Sequence, residues 1–210
     1  MALKERQIRR YARQILLPDV GGRGQQALLD GGAIAPSEGG MADSVALAYL
    51  AAGGSPVRVP PGRRVSAAEV GFLFDAGAAR AGRHAASALK AALEDFNPDA
   101  ARNPPAMGLL AELPAPLSAP PPWVVMGWTS GGRGGLVYRT AEGCAACFLE
   151  TARGFDSPTP SPAASVALGA LGALAFQRCA LGLSEPLGGR WLEPGGSLAP
   201  LPPARCEQHR

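Results

Sequence analysis

The chain has 210 residues, 47% hydrophobic but only 6% aromatic, and a net charge of +3. That length suits one domain with a real core, built from Ala, Leu and Val rather than large rings. The mild charge carries no basic run interleaved with aromatics, which argues against nucleic acid as a partner.

The start, Met1-Ala-Leu-Lys-Glu-Arg-Gln, is charged and has no apolar stretch behind it, so no signal peptide is expected and the cytoplasm is the expected location. Cysteines there read as metal ligands or thiols rather than disulfides. Residues 4–17 predict a helix, with Ile8, Tyr11 and Ile15 at helical spacing. A turn follows at 18–24, then a second helical piece at 25–29. Gly32 to Pro36 is strand-like, and Gly39-Gly40 opens a helix from Met41 to Ala52 that Gly53-Gly54 closes. Pro56-Val-Arg-Val-Pro60 reads as the next strand, so 32–60 spell a βαβ unit.

Residues 80–96 predict a helix with Leu89, Leu93 and Phe96 on one face and a stop at Asn97-Pro98. The stretch 104–122 is rich in Pro, Ala and Leu and reads as an irregular connection. Trp123-Val-Val-Met126 and Leu136-Val-Tyr138 are strands, joined by a glycine-rich turn at 129–135. Ala163 to Phe176 is uniformly apolar or small, short of the roughly 20 residues of a membrane span, and reads as a buried helix. A last strand is expected at Arg190-Trp-Leu192, before a proline-rich tail. Cys179 reads as a core thiol, His84 as a surface or capping residue, and the three tryptophans as packing.

Two ligand pairs stand out. Cys144 and Cys147 are three apart, and so are Cys206 and His209 at the end of the chain. Three thiolates and an imidazole suit a closed, four-coordinate structural zinc site, which would tie the C-terminus back to the middle of the fold.

The order of these pieces resembles the ThiF/MoeB/HesA family, the bacterial relatives of ubiquitin-activating enzymes. Arg10-Tyr-Ala-Arg-Gln-Ile-Leu-Leu17 is similar to the family opening, and Gln25-Gln-Ala-Leu-Leu to its next helix. Gly82 to Pro98 resembles the helix with an Asn-Pro stop, and Gly143-Cys-Ala-Ala-Cys147 the first zinc pair. Gly169-Ala-Leu-Gly172, leading to Glu185-Pro-Leu-Gly188, resembles the late apolar helix and its following strand. The resemblance implies a single shortened α/β, Rossmann-like domain over 1–210, with a mostly parallel sheet and a zinc knot. Its parts would be N-terminal helices (1–30), a nucleotide-binding half (31–103), a proline-rich connection (104–122) and a zinc-bearing, dimer-interface half (123–210). Such proteins are usually dimeric and adenylate the C-terminal carboxylate of a ubiquitin-like or sulfur-carrier protein with ATP.

Set against that family, the ATP-handling parts are missing. The family's GxGxxG falls on Glu38, Gly40 and Asp43, a degenerate loop with two carboxylates where a phosphate needs bare backbone. The second strand ends Pro60-Pro61-Gly62-Arg63-Arg64, without an acid for ribose or metal. The segment that contacts the phosphates corresponds to Glu69-Val70-Gly71-Phe72-Leu73, and the phosphate lysine to Ala85. The catalytic aspartate would fall between Asn103 and Pro122, where Glu112 is the one acid. No cysteine lies between Cys147 and the apolar helix. ATP is therefore not expected as a cofactor. Arg13, with Arg10 in reserve, matches the opening arginine that in dimeric relatives reaches the neighbour's ATP site; the bland reading is a solvated helix face.

These residues lead to a pseudoenzyme that pairs with an active ThiF/MoeB-like subunit or with itself and serves a carrier protein, with neither nucleic acid nor membrane involved. Two readings stand beside it: an active adenylyltransferase with a rebuilt pocket, and a peptide-binding module of a peptide-modification pathway.

Overall fold

A computed structural model describes residues 3–35, 40–65, 82–103, 106–113, 119–155, 161–193 and 195–209. The chain opens with α1 (Glu5–Arg10), α2 (Ala12–Ile15) and α3 (Gly21–Asp30). Next come β1 (Gly31–Ile34), α4 (Met41–Ala52), β2 (Val57–Arg58), α5 (Ala85–Phe96) and β3 (Ala106–Glu112). The hairpin β4 (Trp123–Trp128) and β5 (Gly134–Arg139) leads to α6 (Ala145–Ala152) and α7 (Pro162–Ala180). The hairpin β6 (Leu187–Leu192) and β7 (Leu198–Pro200) and a short 3₁₀ turn, Glu207–His209, complete the described elements.

The seven strands form one sheet in the order β2-β1-β3-β4-β5-β6-β7. Pairing is parallel from β2 through β4 and antiparallel from β4 to β7. Because β6 is antiparallel to β5, it again runs with the first four strands. The sheet is thus mixed, with one direction dominant and the reversals confined to the hairpin side.

Strand alternation sorts the core into two layers. Leu110, Val124, Met126 and Leu136 face one side, where they meet Leu47, Leu50, Leu89, Leu93, Leu168 and Phe176 from α4, α5 and α7. Leu109, Ala111, Val125 and Val137 face the other, against Phe148 and Ala152 of α6. Small residues set the spacing between the two long apolar helices. Gly169 lies so close to α4 that a Cβ there would sit 2.4 Å from the Ala42 carbonyl oxygen. Helix α7 has the length and composition of a membrane span, but its inner face is part of the core: Ser165, Leu168, Gly169, Gly172, Ala173, Phe176 and Cys179 are buried. Cys179 is the core thiol the sequence suggests.

The βαβ unit is found as the sequence predicts, with α4 spanning Met41–Ala52. Other expectations change. The predicted 4–17 helix breaks at Tyr11, and α3 begins at Gly21, inside the expected turn. Phe96 is 52% exposed and does not share the buried face of Leu89 and Leu93. The connection expected to be irregular over 104–122 contains β3, which is paired on both sides in the middle of the sheet. Its residues Leu109, Leu110 and Ala111 are fully buried, as suits a strand covered by helices on both faces.

The N-terminal helices are fastened by a buried polar cluster. Asn97 Nδ2 donates to Tyr11 Oη at 3.0 Å, and the Tyr11 hydroxyl donates to Asp99 Oδ2 at 3.2 Å. Gln7 Nε2 donates to Asp99 Oδ1 at 2.9 Å, and Arg6 bridges to the same oxygen at 3.0 Å. Burial, with the Asp99 charge adding to it, pushes the Tyr11 phenol up to about 12. The opening helix motif and the Asn-Pro stop are therefore two halves of one contact. Tyr11 also packs on Gly54, whose φ of +90° and missing side chain let the ring approach.

Candidate metal centre and switch-point crevice

Cys144 and Cys147 lie at the start of α6, with Cys144 as its N-cap. Cys206 and His209 come from the tail. Their four ligand atoms all lie within 4.8 Å of one another. The Cys144 and Cys206 sulfurs are 3.9 Å apart, and His209 Nδ1 lies 3.4 Å from Cys147 Sγ and 3.2 Å from Cys206 Sγ. Tetrahedral zinc with Zn–S near 2.3 Å places its sulfurs about 3.8 Å apart, so the cluster has the dimensions of such a site. The Cys147 N–H, first among its neighbours, holds the Cys144 thiol below its ordinary value, while Cys147 itself is pushed up against the pull of the Cys206 N–H, by burial and by the Cys206 and Cys144 sulfurs. The tail reaches the cluster through its backbone. Leu201 N donates to Gly189 O at 3.1 Å, Ala204 N to Thr151 Oγ1 at 2.8 Å and Cys206 N to Cys147 Sγ at 3.4 Å. Cys144, Cys147, Cys206 and His209 can together hold a metal ion.

The second location follows from topology. From β1 the chain goes to β2 on one side, then returns to β3 on the other. The crevice outside the carboxyl ends of β1 and β3 is the place where open α/β sheets seat ligands. The N-terminus of α4, with Gly40 as N-cap, opens there.

That crevice holds a carboxylate. Glu112 ends β3 and lays its side chain over Gly40: a Cβ built on Gly40 would lie 1.9 Å from Glu112 Oε2. Trp128 Nε1 lies 3.4 Å from Oε1, whereas Oε2 is buried without a hydrogen-bond partner among the described residues. Burial pushes the Glu112 carboxyl up, against the opposing pull of the Trp128 and Ala42 N–H groups. Asp43 does not line the phosphate position, as its place in the degenerate loop suggests. It is fully buried, and its Oδ1 accepts the Glu112 backbone N–H at 2.7 Å, clamping β3 to α4. Glu38 and the segment Glu69 to Leu73 lie outside the described residues.

Beyond β2, the backbone of 63–65 pairs with 82–85, and Arg64 donates to the Gly82 carbonyl. Ala85, which the motif resemblance sets against a phosphate lysine, is a fully buried methyl at the start of α5. His84 precedes that helix as its N-cap, without a side-chain cap bond. Lys90 faces outward and pairs with Glu94 at 3.8 Å. Arg10 is held on the Phe96 carbonyl at 3.2 Å, whereas Arg13 is exposed and has no hydrogen-bond partner among the described residues. The glycine turn at 129–135 is a hairpin turn, with Thr129 N donating to Arg133 O at 2.9 Å. The tryptophans pack as expected: Trp128 is buried, Trp123 meets Phe148, and Trp191 meets Phe155 edge-on.

Glu112 was visible to sequence reasoning only as the one acid of its stretch. Its role needs β3, and the prolines around β3 conceal the strand.

No protein-family model matches the sequence, and no curated protein matches it. Solved structures do. MccB of E. coli bound to a succinimide superposes with a TM-score of 0.70 at 15% identity, over 95% of this chain and 73% of MccB. The chain has the MccB fold. MccB in complex with ATP gives a TM-score of 0.68 at 16% identity, over 95% of this chain and 73% of MccB. PaaA gives 0.68 at 14% identity, over 98% of this chain and 76% of PaaA. What the chain shares with these structures is the fold.

Proposed function

We propose that this chain is a ThiF/MoeB-like subunit that does not adenylate in its own crevice and instead supports an active adenylating partner, with zinc as a structural tie. The end of β2 carries this reading. A nucleotide-binding sheet of this type needs a carboxylate there for the ribose. Here the chain turns through Pro60-Pro61-Gly62 into Arg63 and Arg64, and its backbone is paired with 82–85. Cations and a closed backbone cannot accept ribose hydroxyls or bind magnesium. Buried Ala85 supports the same reading, because no ammonium can reach a phosphate from that position.

Arg13 is the group we assign to the partner. Its exposed guanidinium is carried on the helix that Tyr11 docks to the core. A neighbouring subunit could take it beside the transferring phosphates, where such a charge stabilises the transition state. Arg10 is less suited, being held on Phe96. Replacing Arg13 by Ala is expected to lower ATP–pyrophosphate exchange by the co-purified native partner on the order of a hundredfold. An unchanged rate would assign Arg13 to a solvated face.

A peptide-binding role is the second reading. It is favoured by complexes of MccB with MccA, one of which also holds AMPCPP. A carrier or peptide C-terminus would suit either reading. An active enzyme with a rebuilt pocket is the reading that the β2 end opposes.

A further inference from the structure

We infer that Glu112 is a built-in occupant of the switch-point crevice: its carboxylate sits on the N-terminus of α4 and closes that position to polyphosphates. The inference rests on the nucleotide-free reading and deepens it, by naming what fills the crevice.

Two contacts place the Glu112 carboxylate, and a third fixes the backbone that carries it. Its Oε2 lies against Gly40, close enough that a Cβ there would push the carboxyl tip aside. Its Oε1 is approached by the Trp128 indole N–H at 3.4 Å, from the neighbouring strand β4. Its backbone N–H is bound by Asp43 at 2.7 Å, so β3 cannot slide away from α4 and carry the side chain with it. The Ala42 N–H, one of the free donors of the first helical turn, favours the ionised carboxyl group, although Oε2 itself has no hydrogen-bond partner among the described residues. Those donors and the helix dipole are what a phosphate uses at such a site. Here the chain supplies the anion itself. A second anion would meet both occupied space and a like charge.

The occupant also explains why the loop before α4 can dispense with the glycine pattern. A phosphate must be approached by several successive backbone N–H groups, so each position has to be small. An internal carboxylate needs room at one position, and Gly40 provides it.

Inorganic pyrophosphate, without magnesium, is the direct probe, titrated into the zinc-loaded wild type, Glu112→Ala and Glu112→Gln. The wild type is expected to show no saturable binding. Glu112→Ala should bind at least roughly tenfold more tightly than wild type, since the like charge and the steric block have both gone. Glu112→Gln, which removes the charge but keeps the shape, should fall between them. A folded Glu112→Ala protein that binds no better than wild type overturns the inference, as does a wild type that binds equally well.

A double-mutant cycle gives an answer even if the binding gain is small. Gly40→Ala should lower Tm slightly in the wild-type background, because the new Cβ pushes the Glu112 carboxyl tip aside and off the Trp128 N–H. It should cost little in the Glu112→Ala background. An equal cost in both means the carboxylate is not on Gly40, and the inference fails. The two levels separate cleanly. Incorporation of pyrophosphate into ATP by the wild-type chain sinks the pseudoenzyme reading whatever the variants do. A silent wild type with unresponsive variants sinks only the role of Glu112.

Discussion

Stripping metal from this chain with a strong chelator should lower its Tm on the order of 10 °C, and Cys147→Ala should do the same without a chelator. The estimate follows from linkage. A ligand present at a thousandfold its Kd stabilises the folded state by about 4 kcal/mol, and each kcal/mol moves Tm by about 2–4 °C in a protein of this size. The effect should be local in origin. The tail beyond β7 is held by few backbone contacts besides the cluster: those of Leu201, Ala204 and Cys206. With the metal gone, three thiols and an imidazole are left crowded within 4.8 Å without their common partner. Amide exchange in 201–209 should therefore accelerate before the sheet loosens. Cys147 is the best single probe because it is the buried ligand and also accepts the Cys206 N–H. Metal analysis should return one zinc per chain for wild type and much less for Cys147→Ala. A Tm indifferent to chelation would remove zinc from the account.

Gly169→Val is the second large effect, and it acts through packing alone. A Cβ at 169 would lie 2.4 Å from the Ala42 carbonyl oxygen and 2.8 Å from Val45 Cβ. Backbone cannot yield as a side-chain tip can, so α4 and α7 must separate. Overpacking of this kind costs about 3 kcal/mol, or about 6–12 °C in Tm for a protein of this size. The same helix presents Gly40 and Ala42 to Glu112, so separation should also disturb the crevice. A thermal melt of Gly169→Val checks the first point. A Tm within a degree or two of wild type would mean that the two helices are not in this close contact.

How far the sequence revealed this molecule depended on distance along the chain. Helix α4 and its flanking strands were legible because glycines and prolines mark their ends within a few residues. The metal cluster was legible because its pairs are three apart, though the meeting of the pairs rests on β6 and β7 bringing the tail across α6. Strand β3 was not legible. Its apolar run, Met107 to Ala111, is framed by prolines at 104, 105 and 114, and composition over the whole stretch outweighed the run inside it. Strand β7 was missed for a related reason: it is three residues long and ends in proline.

Asp43 shows the limit of motif reasoning. Its place in a degenerate phosphate loop suggested a charge facing a nucleotide, and the fold instead turns it onto the Glu112 backbone. The partnership of Tyr11 with Asn97 and Asp99 was likewise hidden. Each lay in a recognisable motif, yet their contact spans more than 80 residues.

The central proposal is that this chain, with the MccB fold, has no nucleotide site of its own. Calorimetric titration of magnesium–ATP into the purified, zinc-loaded chain, with pyrophosphate exchange followed in the same samples, tests it most directly. No saturable heat and no exchange are expected; saturable ATP binding by the chain alone would contradict the proposal.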